Sequence, residues 1–303
     1  MTTLSPPQTE INSVIALYSN GQIQEALDAV ETLTKSYPNN SLLYNISGIC
    51  YKTIGKLDEA VKSFEQALTI KPNYAEVHYN LGVTLQELGQ HDDAVKCFEK
   101  ALVIKPDYVG AHRNLGISLQ ELAQHDDAVK CFEQALAIQP DFADAHYNLG
   151  NAFNDLGQHG NAVKSYEKAL AIQPDYAEAH NNLGNTLKEL GQLEAAVKSH
   201  EQALAIKPDF AEAHNNLGNT LKELGELEAS IKYFEQALAI KPNYAEAHYN
   251  FGNTLKELGQ LEAAVRSYEQ ALAIKPDYAE AHSNLGVTLK ELGQLDAAVN
   301  SYE

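Results

Sequence analysis

Apolar residues along the chain recur at intervals of three and four, and the runs are broken by glycine and proline at fixed distances. In residues 177–191, AEAHNNLGNTLKELG, the side chains of His180, Leu183, Leu187 and Leu190 fall on one side of a helix. Gly191, directly after this run, reads as a helix C-cap. A second run follows with Leu193, Ala196, Val197, His200, Ala203 and Leu204 at the same spacing, and Pro208 closes it. The pattern predicts a pair of antiparallel amphipathic helices, A and B, and no strand competes with it.

Residues 211–225 repeat residues 177–191 letter for letter, 34 positions later. The same ruler finds units starting at 75, 109, 143, 177, 211, 245 and 279, with weaker copies at 41 and 7. Within a unit numbered from 1, proline occupies position 32 from Pro38 to Pro276, and glycine recurs at positions 8 and 15. Small residues such as Gly184, Ala196 and Ala203 stand where two helices approach closely. One helix pair cannot bury its own apolar faces, so the units are expected to stack into an all-α solenoid. The expected organisation is a tail over 1–6, a degenerate capping repeat over 7–40 and an array over 41–303 whose last unit is truncated.

On a helical wheel, positions 4, 7, 11 and 14 of helix A share the buried side, while positions 2, 5, 6, 9 and 13 face solvent. Position 6 is asparagine in seven successive units: Asn80, Asn114, Asn148, Asn182, Asn216, Asn250 and Asn284. Position 9 adds Asn151, Asn185, Asn219 and Asn253. An amide both donates and accepts, so one asparagine satisfies both polar groups of a peptide unit. Helices stacked roughly 8–10 Å apart match a strand advancing about 3.3 Å per residue at every third residue. Such a ladder holds a backbone of any sequence, and side-chain preference is expected at the variable position 5.

Charge narrows the partners. The chain of 303 residues has 22 Lys+Arg against 41 Asp+Glu, a formal net charge of −19. That balance repels phosphate backbones and anionic lipid, so neither nucleic acid nor membrane is an expected partner. Glu178, Glu189, Glu212 and Glu223 make parts of the expected groove acidic, modulated by Lys188 and Lys222, and favour neutral or basic ligands. Arg113 is the one basic residue at positions 5 and 9. The opening MTTLSPPQTEINS has neither the basic nor the apolar stretch of a secretory leader, and a cytoplasmic location is expected.

The spacing of His248, Phe251, Gly252, Leu255, Ala264, Tyr268, Ala271 and Pro276 resembles the tetratricopeptide repeat, with histidine for tryptophan at position 4. Further departures are Ala123 at position 15, Ser230 at position 20 and His200 at position 24. The resemblance implies a right-handed superhelix whose concave groove is lined by helix A, and a protein or peptide partner. AHSNLG at 281–286 and GNTLKELG at 218–225 are most similar to the N-terminal arrays of O-linked N-acetylglucosamine transferases. In those arrays an asparagine ladder holds extended peptide. The expected function is therefore an interaction scaffold. Its alternatives are the substrate-recruiting arm of a larger modifying enzyme and a self-assembling scaffold. The array stops inside helix B, where Leu292, Val299 and Tyr302 are expected to lie partly open, as in a fragment or an end packed on another molecule. The family's clamp for C-terminal carboxylates needs basic groove residues that this chain lacks apart from Arg113.

Other features carry structure rather than chemistry. The histidines at position 4, from His78 to His282, are separated by a helix-packing distance, too far to share a metal ion. The triplets starting at His91 and His125 place aspartates at helix starts, where they complement the dipole. Cys50, Cys97 and Cys131 form neither a metal motif nor a disulfide framework. No catalytic residue, metal site or cofactor stands apart from the repeat, so an enzyme within this chain is not expected.

Overall fold

The computed structural model describes residues 6–301, apart from the side chain of Asn300, and every element among them is helical. The first six helices are α1 (Gln8–Ser19), α2 (Ile23–Ser36), α3 (Ser41–Thr53), α4 (Leu57–Ile70), α5 (Ala75–Glu87) and α6 (His91–Ile104). They are followed by α7 (Val109–Glu121), α8 (His125–Ile138), α9 (Ala143–Asp155), α10 (His159–Ile172), α11 (Ala177–Glu189) and α12 (Leu193–Ile206). The remainder are α13 (Ala211–Glu223), α14 (Leu227–Ile240), α15 (Ala245–Glu257), α16 (Leu261–Ile274), α17 (Ala279–Glu291) and α18 (Leu295–Asn300). Odd-numbered helices are helix A of a repeat and even-numbered ones helix B. The chain divides into two compact units, parting after Leu156.

The turn between A and B is closed by position 15. In the repeat from 177, Gly191 has φ +72°, its N–H donates to the Lys188 carbonyl at 2.8 Å, and the Gln192 N–H reaches the Leu187 carbonyl at 2.9 Å. These two bonds form the Schellman arrangement that ends a helix on a left-handed residue. Ala123 adopts the same conformation, φ +57°, without glycine's freedom. Helix A therefore stops at position 13. Leu190, at position 14, lies beyond the last helical residue and is 41% exposed rather than part of the buried side.

The interface within a repeat is built from the small residues. Ala196 and Ala203 are fully buried, and the ring at position 24 of helix B sits directly over the glycine at position 8 of helix A. A Cβ added at Gly218 would lie 2.8 Å from Phe234, and one at Gly252 would lie 2.6 Å from Tyr268. In the capping repeat, Ile11, Val14, Ala26, Leu27 and Val30 are buried together with Leu43, Ile46 and Cys50 of the next repeat. Among the described residues at the other end, Leu292 is half-buried while Leu295 and Val299 are exposed. Tyr302 lies outside the described residues.

Repeats stack through unequal contacts. In the first unit α3 touches α5, α5 touches α7 and α7 touches α9; in the second, α11, α13, α15 and α17 touch in succession. Among the described residues no comparable contact joins successive B helices, and an open groove of about 1330 Å³ separates α4 from α6. The A helices form the tighter row within each unit.

Candidate functional site: the asparagine row on helix A

The amides at position 6 do not stand free along this row. Asn80 Nδ2 donates to Asn45 Oδ1 at 3.1 Å, Asn216 to Asn181 at 3.1 Å, and Asn250 to Asn215 at 3.1 Å. Where position 5 is tyrosine, the phenol accepts: Asn114 donates to Tyr79 Oη at 3.3 Å and Asn284 to Tyr249 Oη at 3.1 Å. Each bond ties position 6 to position 5 of the preceding repeat, 35 residues earlier. A typical bond of this kind contributes roughly 1 kcal/mol, and leaving one buried donor unpaired costs about 1–3 kcal/mol.

This corrects the expectation that position 5 faces solvent. Asn181 is 5% exposed and Asn215 fully buried, because position 5 is clamped between its own helix and the next. Position 6 is half-buried in most repeats, and Asn114 is only 7% exposed. Both polar atoms of the Asn114 amide are engaged, since its Oδ1 accepts from Arg113 Nη1 at 3.0 Å. Asn182 Oδ1 accepts from Asn181 at 3.4 Å, and Asn216 Oδ1 accepts a marginal 3.5 Å contact from Asn215. The missed acceptors, Asn45, Tyr79, Asn181, Asn215 and Tyr249, have a sequence signal. From residue 41 onward every position 5 except Arg113 carries a side-chain oxygen.

Asn151, Asn185, Asn219 and Asn253 lie half-buried beside this row. Asn253 is engaged: its Oδ1 accepts from Tyr268 Oη and from Asn284 Nδ2, both at 2.8 Å. Asn148 and Arg113 are the irregular pair. Arg113 Nη2 is 3.6 Å from Asp144, and neither Arg113 Nε nor Asn148 Nδ2, both shielded from solvent, has a partner.

The acidic rim is largely neutralised. Lys188, Lys222 and Lys256 at position 12 pair with Glu223, Glu257 and Glu291 of the following repeat, at 3.5, 2.9 and 3.4 Å. Glu178 pairs with Lys207 at 3.2 Å, and Glu212 with Lys241 at 2.9 Å, which holds the Glu212 carboxyl below its ordinary range. These pairs are partly exposed and individually weak. They nevertheless leave the row less acidic than composition suggests.

Position 4 has one role throughout. The Nε2 of His78, His112, His146, His180, His214, His248 and His282 lies 2.8–3.0 Å from the carbonyl of the proline six residues earlier. The imidazole thus staples the incoming turn to helix A. Burial pushes the Cys97 and Cys131 thiols up to about 11, which keeps them protonated and poorly nucleophilic.

Paired helices of 34-residue period, a position-15 cap and a ring on the position-8 glycine recur together. Family models described as TPR repeat match residues 50–89, 150–191, 184–225, 218–259 and 252–293. Models described as tetratricopeptide repeat match 73–141 and 131–164. The chain belongs to the tetratricopeptide repeat family. Among solved structures, this tetratricopeptide array is similar to MamA at 28% identity, covering 53% of this chain and 94% of that one, with a TM-score of 0.51. The Cut9-Hcn1 hetero-tetramer of APC/C matches over 92% of this chain and 55% of that one, at 18% identity and a TM-score of 0.66. YrrB, described as a TPR protein with an unusual peptide-binding site, shares 24% identity over 62% of this chain and 96% of its own, with a TM-score of 0.51. No curated protein sequence matches the chain. The array is a repeat scaffold of a kind typical of protein–protein interaction. The matches carry nothing specific to the transferase arrays.

Proposed function

We propose that the A-helix row binds an extended polypeptide, neutral to basic in character, and that the position-6 amides hold its backbone. The observation that supports this reading is the bond that Asn80, Asn114, Asn216, Asn250 and Asn284 each donate to the preceding repeat. It uses one N–H of the amide and fixes which way the group faces. The second N–H and carbonyl lone pairs stay available in an orientation already set, which lowers the ordering cost of binding. Asn80, Asn216 and Asn250 fit this role best, whereas Asn114 and Asn253 act as ties between repeats.

The test is the intact chain against Asn182→Ala combined with Asn216→Ala, titrated with unrelated end-blocked peptides of neutral and basic composition. All are expected to weaken alike, by about tenfold for a loss of two backbone contacts, with the helical circular dichroism retained. Unchanged affinities sink the ladder.

The wording of 218–225 and 281–286 favours a second reading, in which the array recruits substrate for a modifying enzyme encoded in the same gene. Reading the codons beyond Glu303 decides it. Exposed Leu295 and Val299 on α18 support a third, self-association, which a concentration-independent monomer in light scattering would remove.

A further inference from the structure

We propose that the channel between α4 and α6, on the B-helix side of the first compact unit, is a docking surface for a basic amphipathic helix of a partner protein. It is independent of the A-helix row.

Both α4 and α6 pack on α5 and make no comparable contact with one another, which leaves the channel of about 1330 Å³. Its lining includes the buried Leu81 and Leu85 of α5, with Val61 and Leu68 of α4 and Val103 and Ile104 of α6. Two of its slots differ from those of later repeats. Val103 is 82% exposed, whereas the same slot carries alanine at 137, 171, 205, 239 and 273. Valine is a poorer helix former than alanine, and exposed it gains nothing from burial in this chain. Cys97 stands where Ser63, Ser165, Ser199 and Ser267 bond back to their own helices, and it adds soft apolar lining instead.

The walls favour a helix over a strand. Backbone N–H and C=O groups of α4 and α6 are spent within their own helices, so an extended chain pressed against these side chains would leave its own groups unpaired. A helix satisfies its backbone internally. The lining runs along α6 from Asp93 to Ile104, the length of about three helical turns. A partner of that length meets it with apolar side chains at i, i+4 and i+7.

Charge sets the character of the partner's flanks. Glu65 on α4 and Glu99 on α6 line the channel, both are exposed, and among the described residues neither forms an ion pair. Of the lysines lining it, Lys96 is taken by Asp93 at 2.8 Å, which leaves Lys100 against two carboxylates. Lysine or arginine beside the partner's apolar stripe complements them.

The experiment titrates the intact chain with three labelled, end-blocked peptides of about fifteen residues. The first is a helix former with leucines at i, i+4 and i+7 flanked by lysines. The second scrambles the same residues out of helical period, and the third replaces the lysines by glutamates. Fluorescence anisotropy should show the first binding about tenfold tighter than either control. Glu65→Gln combined with Glu99→Gln should keep the circular dichroism of the parent and weaken that peptide about tenfold. Val103→Ala should weaken it about threefold. Asn182→Ala with Asn216→Ala, on the A row, should leave it unaltered. The channel reading falls if either control binds as well as the first peptide, if the B-helix variants bind it as tightly as the parent, if the A-row variant loses it, or if it does not bind at all.

Discussion

His200 occupies the slot that Phe98, Phe132 and Phe234 fill in other repeats, and the substitution gives the core a titrating group. The ring is fully buried against Gly184, and neither nitrogen has a partner. Burial, helped by the charge of Lys188, lowers its pKa from the ordinary 6.5 to about 4. A histidine whose folded pKa lies below its unfolded value is protonated first in the unfolded chain. Stability is therefore full above pH 6.5, falls as pH drops towards 4, and loses no more from this group below that. The loss amounts to about 3 kcal/mol. His200→Phe should unfold at a higher urea concentration than the parent at pH 4, with a much smaller difference at pH 7. Equal differences at the two pH values would mean that His200 is not buried neutral.

At the scale of the helix pair, the contact that cannot be altered is glycine at position 8 beneath the ring at position 24. A Cβ at Gly252 would lie 2.6 Å from Tyr268, a ring also tied by its hydroxyl to Asn253 at 2.8 Å. Gly252→Ala should cost about 1–3 kcal/mol by overpacking, although alanine is the better helix former by almost 1 kcal/mol. Thermal unfolding checks it, and an increase in midpoint would show that the ring yields. The sequence marked the glycine as a point of close helix approach, but the ring that covers it emerged only with the two helices packed together. The helix boundaries were legible too, since Gly191 and Pro208 punctuate them. The side on which position 14 lies was not, because a wheel continues the period past Glu189 while the chain has already turned at Leu190.

At the scale of the molecule, stability is a sum over repeats and over the junctions between them. The position-6 bond is a junction term, so Asn80→Ala in one compact unit and Asn250→Ala in the other should each destabilise by about 1 kcal/mol. Their effects should add within about 0.5 kcal/mol in the double variant. Native-state hydrogen exchange of each unit measures this, and strong non-additivity would show that the two units unfold as one. The period of 34, the helix pairs, the caps and the small residues at the close helix approach were determined by the sequence alone, because each depends on neighbours at fixed local spacing. The row of asparagines was also visible there, though not its partners. Position 5 meets position 6 of the next repeat only after stacking, and a wheel drawn for one helix has no neighbour on it. Only the tertiary structure decided that Asn181 and Asn215 are buried acceptors, that Lys222 pairs with Glu257, and that Arg113 Nε and Asn148 Nδ2 are left without an acceptor.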